Sequence, residues 1–363
     1  MQFTTPVNIK SNKTIDHNSR IVMLGSCFAE NIGKKLIECG FNVVMNPMGI
    51  LYNPISIHNA LTRIIENREF TEDELFYHNG LWASFMHHGS FSHSDKNEAL
   101  KMMNERLHEG HEQLKNATHL IITFGSAEVY EHNNNVVSNC HKLPSRQFTH
   151  RLLSINEIID IYKTRDTKYE TRDTRHETRD TRYETRDTTQ YCPPVLGGRA
   201  ERRGLSLVTK NYLPVLEEQA IDGGGQKLST IFTISPVRYL GEGAHHGQIN
   251  KSTLLLATDQ ICREMGADYF PSYEIMMDEL RDYRYYATDM IHPSEVAIDY
   301  IFERFTETYL TNEAIRIAEE IKKIKKSLAH RPLHPDSEEY QNFKKKLSQQ
   351  IAAIAQKYPN VKI

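Results

Sequence analysis

Five short apolar runs punctuate the chain, at residues 21–24, 42–45, 119–124, 228–234 and 268–271. Each is bounded by turn-forming residues and is too short for a buried helix, so each reads as a buried strand. Helical spacing follows at 28–39, 55–66, 97–115, 154–162 and 250–265, and again at 295–310. Strands that alternate with helices specify a parallel, doubly wound sheet covered on both faces. The expected fold is α/β, a three-layer α/β/α domain around a five-stranded parallel sheet. Ligands of such sheets bind in the crevice outside the carboxyl ends of the strands.

The first run ends at Gly25-Ser26-Cys27. A small nucleophile there would stand at a strand end, with the N–H groups of the following helix directed at whatever binds. A serine hydroxyl needs a base to take its proton, and the base needs a carboxylate to orient it. Asp289 and His292 fit those roles: they are three residues apart, just before Pro293 and the helix at 295–310. A Gly-Ser-Cys turn or an Asp-x-x-His pair alone is commonplace. Together, at strand ends and in Ser–Asp–His order, they point to Ser26 as nucleophile. The bland reading makes Asp289 a helix N-cap and His292 a surface residue.

Cys27 is a rival nucleophile, although a small buried thiol behind the turn is the simpler reading. Gly49, between two prolines at 47 and 54, shapes a loop, and Gly125 ends a strand. Arg238 is either an anion contact or a member of a structural salt bridge. His87-His88 and His245-His246 suggest metal. Adjacent residues seldom address one ion, however, and with 241–247 read as a loop no carboxylate shares a helical spacing with them. No metal or cofactor is expected.

Gly25-Ser26-Cys27-Phe28-Ala29 spells the signature for which the GSCFA family is named. The chain resembles that family over about 20–160 and 206–308, and the family is similar to the SGNH (GDSL-like) hydrolases. The resemblance implies a flavodoxin-like SGNH-hydrolase fold and ester hydrolysis without a cofactor. Ser26 matches the first block of that superfamily, and Asp289 and His292 match the last. Gly49 stands for the second-block glycine and Gly125 for the third. The third block should read Gly-x-Asn, but here it is Gly125-Ser126-Ala127, so the oxyanion asparagine is absent. Asn139 or His141 are its candidate substitutes, beside the backbone N–H groups of Ser26 and Gly49. Losing one such donor costs about 3–4 kcal/mol in activation free energy. By superfamily analogy alone the substrate is a small-molecule or carbohydrate acyl ester, such as an acetylated sugar. The alternative is a non-catalytic or acyl-transferring module that holds a small ligand or anion in the same crevice. Against it, no Gly-x-Gly-x-x-Gly follows the first strand and no P-loop lysine motif occurs.

Residues 164–188 repeat Thr-Arg-Asp-Thr-x-x-Glu with period seven. No repeat position carries an aliphatic residue, so a coiled-coil seam cannot form. The stretch at about 164–205 reads as a low-complexity insertion, disordered or weakly helical. It would interrupt a hydrolase-like domain at 1–310, which a solvated helical tail at 311–363 would follow. The net charge of -3 shows no basic excess for nucleic acid. No apolar run is long enough for a membrane span, and the first residues do not resemble a signal peptide. Five scattered cysteines without a CxxC pair argue against a disulfide scaffold. The expected location is cytoplasmic, and oligomeric state is left open.

Overall fold

The computed structural model describes residues 5–163, 228–329, 337–359 and 361–362. The heptad repeat, the insertion around it and a helix expected near 205–220 lie outside the described residues. The strands are β1 (Arg20–Gly25), β2 (Asn42–Met45), β3 (Phe76–His78), β4 (Leu81–Ala83), β5 (His119–Phe124), β6 (Glu128–His132), β7 (Asn135–Val137), β8 (Thr149–Leu152), β9 (Ser229–Ile234) and β10 (Asp268–Phe270). The main helices are α1 (Cys27–Glu38), α2 (Pro54–Glu66), α3 (Lys96–Lys115), α4 (Ile155–Tyr162), α5 (Gly243–Met265), α6 (Glu295–Tyr309), α7 (Asn312–Leu328) and α8 (Glu338–Lys357).

The five expected apolar strands form one parallel sheet in the order β10-β9-β5-β1-β2. This is the flavodoxin-like arrangement, with helices on both faces. Alternation along the strands explains the layers, because successive side chains leave a strand on opposite sides. Val22, Leu24, Leu120 and Ile122 pack with residues of α2, α3, α4 and α5. Ile21, Met23, Ile121 and Ile231 pack on the other side with α1, α6 and α7.

Two antiparallel pieces escaped the apolar-run criterion because their strands are short and half-exposed. Residues 67–96, expected as an irregular excursion, contain the β3–β4 hairpin. Its turn is Asn79-Gly80, both at positive φ (49° and 80°), as a tight two-residue hairpin requires. Residues 128–152, of which 136–144 read as an irregular stretch, form the three-stranded sheet β7-β6-β8. Helix α5 begins at Gly243 rather than near residue 250, so the expected 241–247 loop is mostly helix. Residues 272–279 form a single turn at Ser272–Glu274 that widens into a π turn at Ile275–Glu279.

The tail is less solvated than its charge suggests. Helix α7 buries Ala314, Ile317, Ala318, Ile321 and Ile324. The α1 end of the core receives it: Lys325 Nζ donates to Ile37 O at 2.8 Å, and the Lys362 N–H donates to Gly40 O at 3.0 Å. Helix α8 is mostly exposed, with Leu347 and Ile354 buried. Among the described residues no helix is long and apolar enough to cross a membrane.

Candidate active site

The β1–α1 turn is built so that one residue type fits at its apex. Gly25 has φ +137°, and a Cβ there would lie 2.1 Å from Thr123 O. Its N–H donates to Asn46 Oδ1 at 2.8 Å, which ties the turn to the end of β2. Ser26 follows as the N-cap of α1, its Oγ accepting from the Phe28 N–H at 3.3 Å. Ser26 is 1% exposed and sits in the wall of a cavity of about 530 Å³ beyond the carboxyl ends of β1, β5 and β9. Tyr52, Asn53, Gly125, Asn139, Arg238 and His292 also line this cavity.

Asp289 and His292 lie on the loop before α6. His292 Nδ1 is 2.7 Å from Asp289 Oδ2, and Asp289 Oδ1 accepts the backbone N–H groups of Ile291 and His292 at 2.9 Å each. The backbone bond from His292, then that from Ile291 and the bond to the imidazole, hold the Asp289 carboxyl down at about 2. An ionised Asp289 makes Nδ1 the protonated ring nitrogen and leaves Nε2 as an acceptor. Asp289 does not cap α6; Ser294 does, through the Ala297 N–H. The bland N-cap reading of Asp289 is therefore displaced. His292 faces the same cavity as Ser26, and no hydrogen bond joins the two side chains in this structure.

Arg238 holds this loop. Its N–H donates to Ile291 O at 3.0 Å and its Nη1 to Met290 O at 3.1 Å. The guanidinium lies 5.8 Å and 5.5 Å from the Tyr283 and Tyr286 ring centres. It joins no ion pair among the described residues, so the salt-bridge reading gives way to a carbonyl tether.

The expected oxyanion donors are corrected by the backbone. The Ser26 N–H donates to Thr123 O at 3.2 Å and the Gly49 N–H to Asn46 O at 2.8 Å. Gly49 lies outside the cavity lining, with His88 Cβ 2.4 Å from where its own Cβ would be, so it shapes the loop. The Gly125 N–H donates to Tyr52 O at 2.8 Å. Gly125 still contributes by being small: a Cβ there would lie 3.3 Å from Ser26 Cβ. His141 is turned away, its Nε2 bonded to Ser84 O at 2.8 Å. Asn139 does line the cavity, its Oδ1 accepting from the His141 N–H at 2.8 Å. Cys27 lines it too, and burial, the first cause, pushes its thiol pKa up, which opposes thiolate formation.

Several groups near the site were not singled out in the sequence. Asn53 caps α2 through Oδ1, which accepts from the Ser56 N–H at 2.8 Å, and it is 5% exposed. Lys251 on α5 is buried, its Nζ donating to Gly125 O at 2.7 Å and Ser235 O at 3.0 Å at the ends of β5 and β9. Burial draws its pKa down to about 7. Its signal was legible, because Lys251, Leu254, Thr258 and Ile261 share the buried stripe of one helix. Glu128, also in the cavity wall, meets His246 Nε2 at 2.5 Å and His150 Nε2 at 2.9 Å. Glu242 approaches His246 at 3.7 Å with i,i+4 spacing. That carboxylate spacing, not seen in the sequence, emerges because helical structure begins at 243. Among the described residues no group of three or more His, Cys, Asp or Glu is arranged to hold a metal ion.

The family model described as "GSCFA family" matches residues 20–175 and 207–305. A second, described as "GSCFA domain protein, C-terminal domain", matches residues 321–363. Comparison with curated proteins and with solved structures gave no match. The first match alone covers more than half of the sequence, from the β1–α1 turn to the helix after the His292 loop. The chain belongs to the GSCFA family.

Proposed function

We propose that this protein is a serine hydrolase of the SGNH type acting on ester bonds. The observation that carries the reading is the shared cavity: Ser26 at the end of β1 and His292, itself bonded to Asp289, face one space of about 530 Å³. In this reading Ser26 Oγ attacks the acyl carbon while His292 Nε2 takes its proton. Asp289 holds the tautomer and stabilises the imidazolium. Collapse of the tetrahedral adduct expels the alcohol, which takes the proton from His292. Water then repeats the sequence on the acyl-enzyme and releases the acid. The reading requires a Ser26–His292 bond, and such bonds often tighten only when substrate is present.

A small acyl group on a carbohydrate is the proposed substrate class. Tyr52 and Tyr130, 44% and 43% exposed, offer aromatic faces, and Glu128, Ser138 and Asn139 offer hydrogen-bonding groups to hydroxyls in the same cavity. The second reading, a small-ligand or anion-binding module, draws on the Ser26 Oγ hydrogen bond to the α1 N-terminus, which suits a capping serine.

A fluorophosphonate probe separates the readings. Wild type should be labelled, and Ser26→Ala and His292→Ala should not. Labelling of Ser26→Ala at the wild-type rate would remove Ser26 as nucleophile. Failure of wild type both to label and to turn over p-nitrophenyl acetate would favour the binding module.

A further inference from the structure

If Ser26 attacks an ester, negative charge develops on the former carbonyl oxygen and needs donors already in place. Four main-chain candidates around the serine are engaged elsewhere. The N–H groups of Ser26, Gly49, Gly125 and Ser126 donate to Thr123, Asn46, Tyr52 and Tyr52 carbonyls, at 3.2, 2.8, 2.8 and 3.0 Å. Two side-chain amides remain in the cavity wall, Asn139 and Asn53.

They differ in how firmly they are held. Asn139 is half-buried and belongs to a loop whose next residues, His141 and Lys142, both have positive φ. Its Nδ2 lies 3.8 Å from where a Gly89 Cβ would be, on the side of the 88–91 turn. Asn53 is 5% exposed, and its Oδ1 is fixed on the Ser56 N–H at 2.8 Å. That bond decides which way the amide faces: oxygen to the helix, nitrogen away from it. Its Nδ2 has no hydrogen-bond partner among the described residues.

The surrounding backbone is tied to the nucleophile. Tyr52 O, one peptide before, accepts the Gly125 and Ser126 N–H groups. A Cβ on Gly125 would touch Tyr52 Cδ1 at 3.1 Å and Ser26 Cβ at 3.3 Å, so Tyr52, Gly125 and Ser26 are in contact. The N-terminus of α2 adds a positive potential at the same place.

We propose that Asn53 is the side-chain donor to the oxyanion formed on Ser26, one amide serving both as helix cap and as catalytic group. The inference rests on Ser26 acting as a nucleophile. The missing Gly-x-Asn asparagine after β5 is thereby replaced from the loop between β2 and α2.

The test uses variants that keep the cap and remove the amide N–H. Asn53→Asp and Asn53→Ser both retain an N-cap acceptor. In phosphonylation by a fluorophosphonate the Ser26 Oγ–P bond forms, the P–F bond breaks, fluoride leaves and the serine proton passes to His292. The phosphoryl oxygen occupies the oxyanion position. Both variants should melt at the wild-type temperature and label about 100–1000-fold more slowly. With p-nitrophenyl acetate, kcat should fall while KM changes little. Asn139→Ala should lose less than about tenfold, since a loosely held donor contributes less. Labelling of both Asn53 variants within threefold of wild type, with melting unchanged, would reduce Asn53 to a cap and overturn the proposal. Asn53→Ala, which removes cap and donor together, reports the cap separately through its melting temperature. Wild type that neither labels nor turns over p-nitrophenyl acetate refutes the hydrolase reading, and the Asn53 proposal falls with it. Wild type that labels while the Asn53 variants label equally well refutes the Asn53 proposal alone.

Discussion

Replacing Gly125 with alanine adds one methyl group where β5 meets the candidate nucleophile. The new Cβ would lie 3.1 Å from Tyr52 Cδ1, 3.3 Å from Ser26 Cβ and 3.3 Å from Tyr52 O, against an ordinary contact of 3.4 Å or more. Neighbours must therefore yield by tenths of an ångström. Tyr52 is 44% exposed and its ring can swing outward, but Ser26 is 1% exposed and its N–H is held by Thr123 O. Tyr52 O is held by two N–H groups. Overpacking of this size costs about 1–2 kcal/mol. The restricted unfolded chain returns about 0.4–1 kcal/mol, because alanine has fewer states to lose than glycine. The net destabilisation should be about 1 kcal/mol, a fall of about 2 °C in melting temperature for a chain of this size. Activity should suffer more. A misplacement of 1 Å can cost about 100-fold, so a few tenths should slow labelling about three- to tenfold. Thermal melts and fluorophosphonate kinetics on the same preparations give both numbers. An unchanged rate would mean that Gly125 does not set the position of Ser26. A melting temperature lower by more than about 10 °C would mean that the neighbours cannot yield as argued.

Other outcomes follow from the same geometry. Gly25→Ala should abolish folding, since its Cβ would lie 2.1 Å from a backbone carbonyl at φ +137°; soluble, cooperatively melting protein would contradict this. Arg238→Ala should free the His292 loop and slow turnover of the neutral ester p-nitrophenyl acetate about tenfold while stability changes by less than about 1 kcal/mol; if only anionic esters are affected, Arg238 binds substrate instead. His58, His87 and His119 are buried, and burial lowers their pKa values to about 4, 3 and 4 from 6.5. The unfolded chain then binds more protons below pH 6.5, so stability is complete above 6.5 and declines as pH falls towards 4. Each group contributes about 3–5 kcal/mol when the decline is complete, His87 the most. His87→Phe should make the decline in urea midpoint shallower by about one proton, and an unchanged slope would refute the assignment.

The fold was legible where hydrophobicity has a simple period. All five runs became sheet strands, because a strand buried on both faces needs apolar residues throughout. The hairpin at residues 76–83 was missed although Asn79-Gly80 announces it. Its strands are three residues long, and length carried more weight than turn chemistry. Helix α5 was begun too late because Gly243 and Gly247 resemble a loop. In the structure Gly247 is required by close packing, with Tyr239 O 2.1 Å from where its Cβ would be. At the site, the Ser26 turn and the Asp289–His292 pair are legible as candidates because their chemistry is local, and Ser26 and His292 line one cavity. The donors were misplaced because a backbone N–H reveals nothing in sequence about which carbonyl it meets. Asn53 carries no functional signal in the sequence, because Asn-Pro at a helix start already has a structural explanation.

Helix α1 has a consequence for the far end of the chain. Its twelve residues make a rod of about 18 Å. Ser26 caps one end, and Gly40, Lys325 and the Lys362 N–H meet at the other. A Cβ on Gly40 would lie 2.4 Å from Ile321 Cδ1, so α7 seats directly against that end. The segment matched by the C-terminal family model therefore bears on the same rod that carries the serine. Contacts made by residues 321–362 thus reach, through this one helix, the turn that carries Ser26.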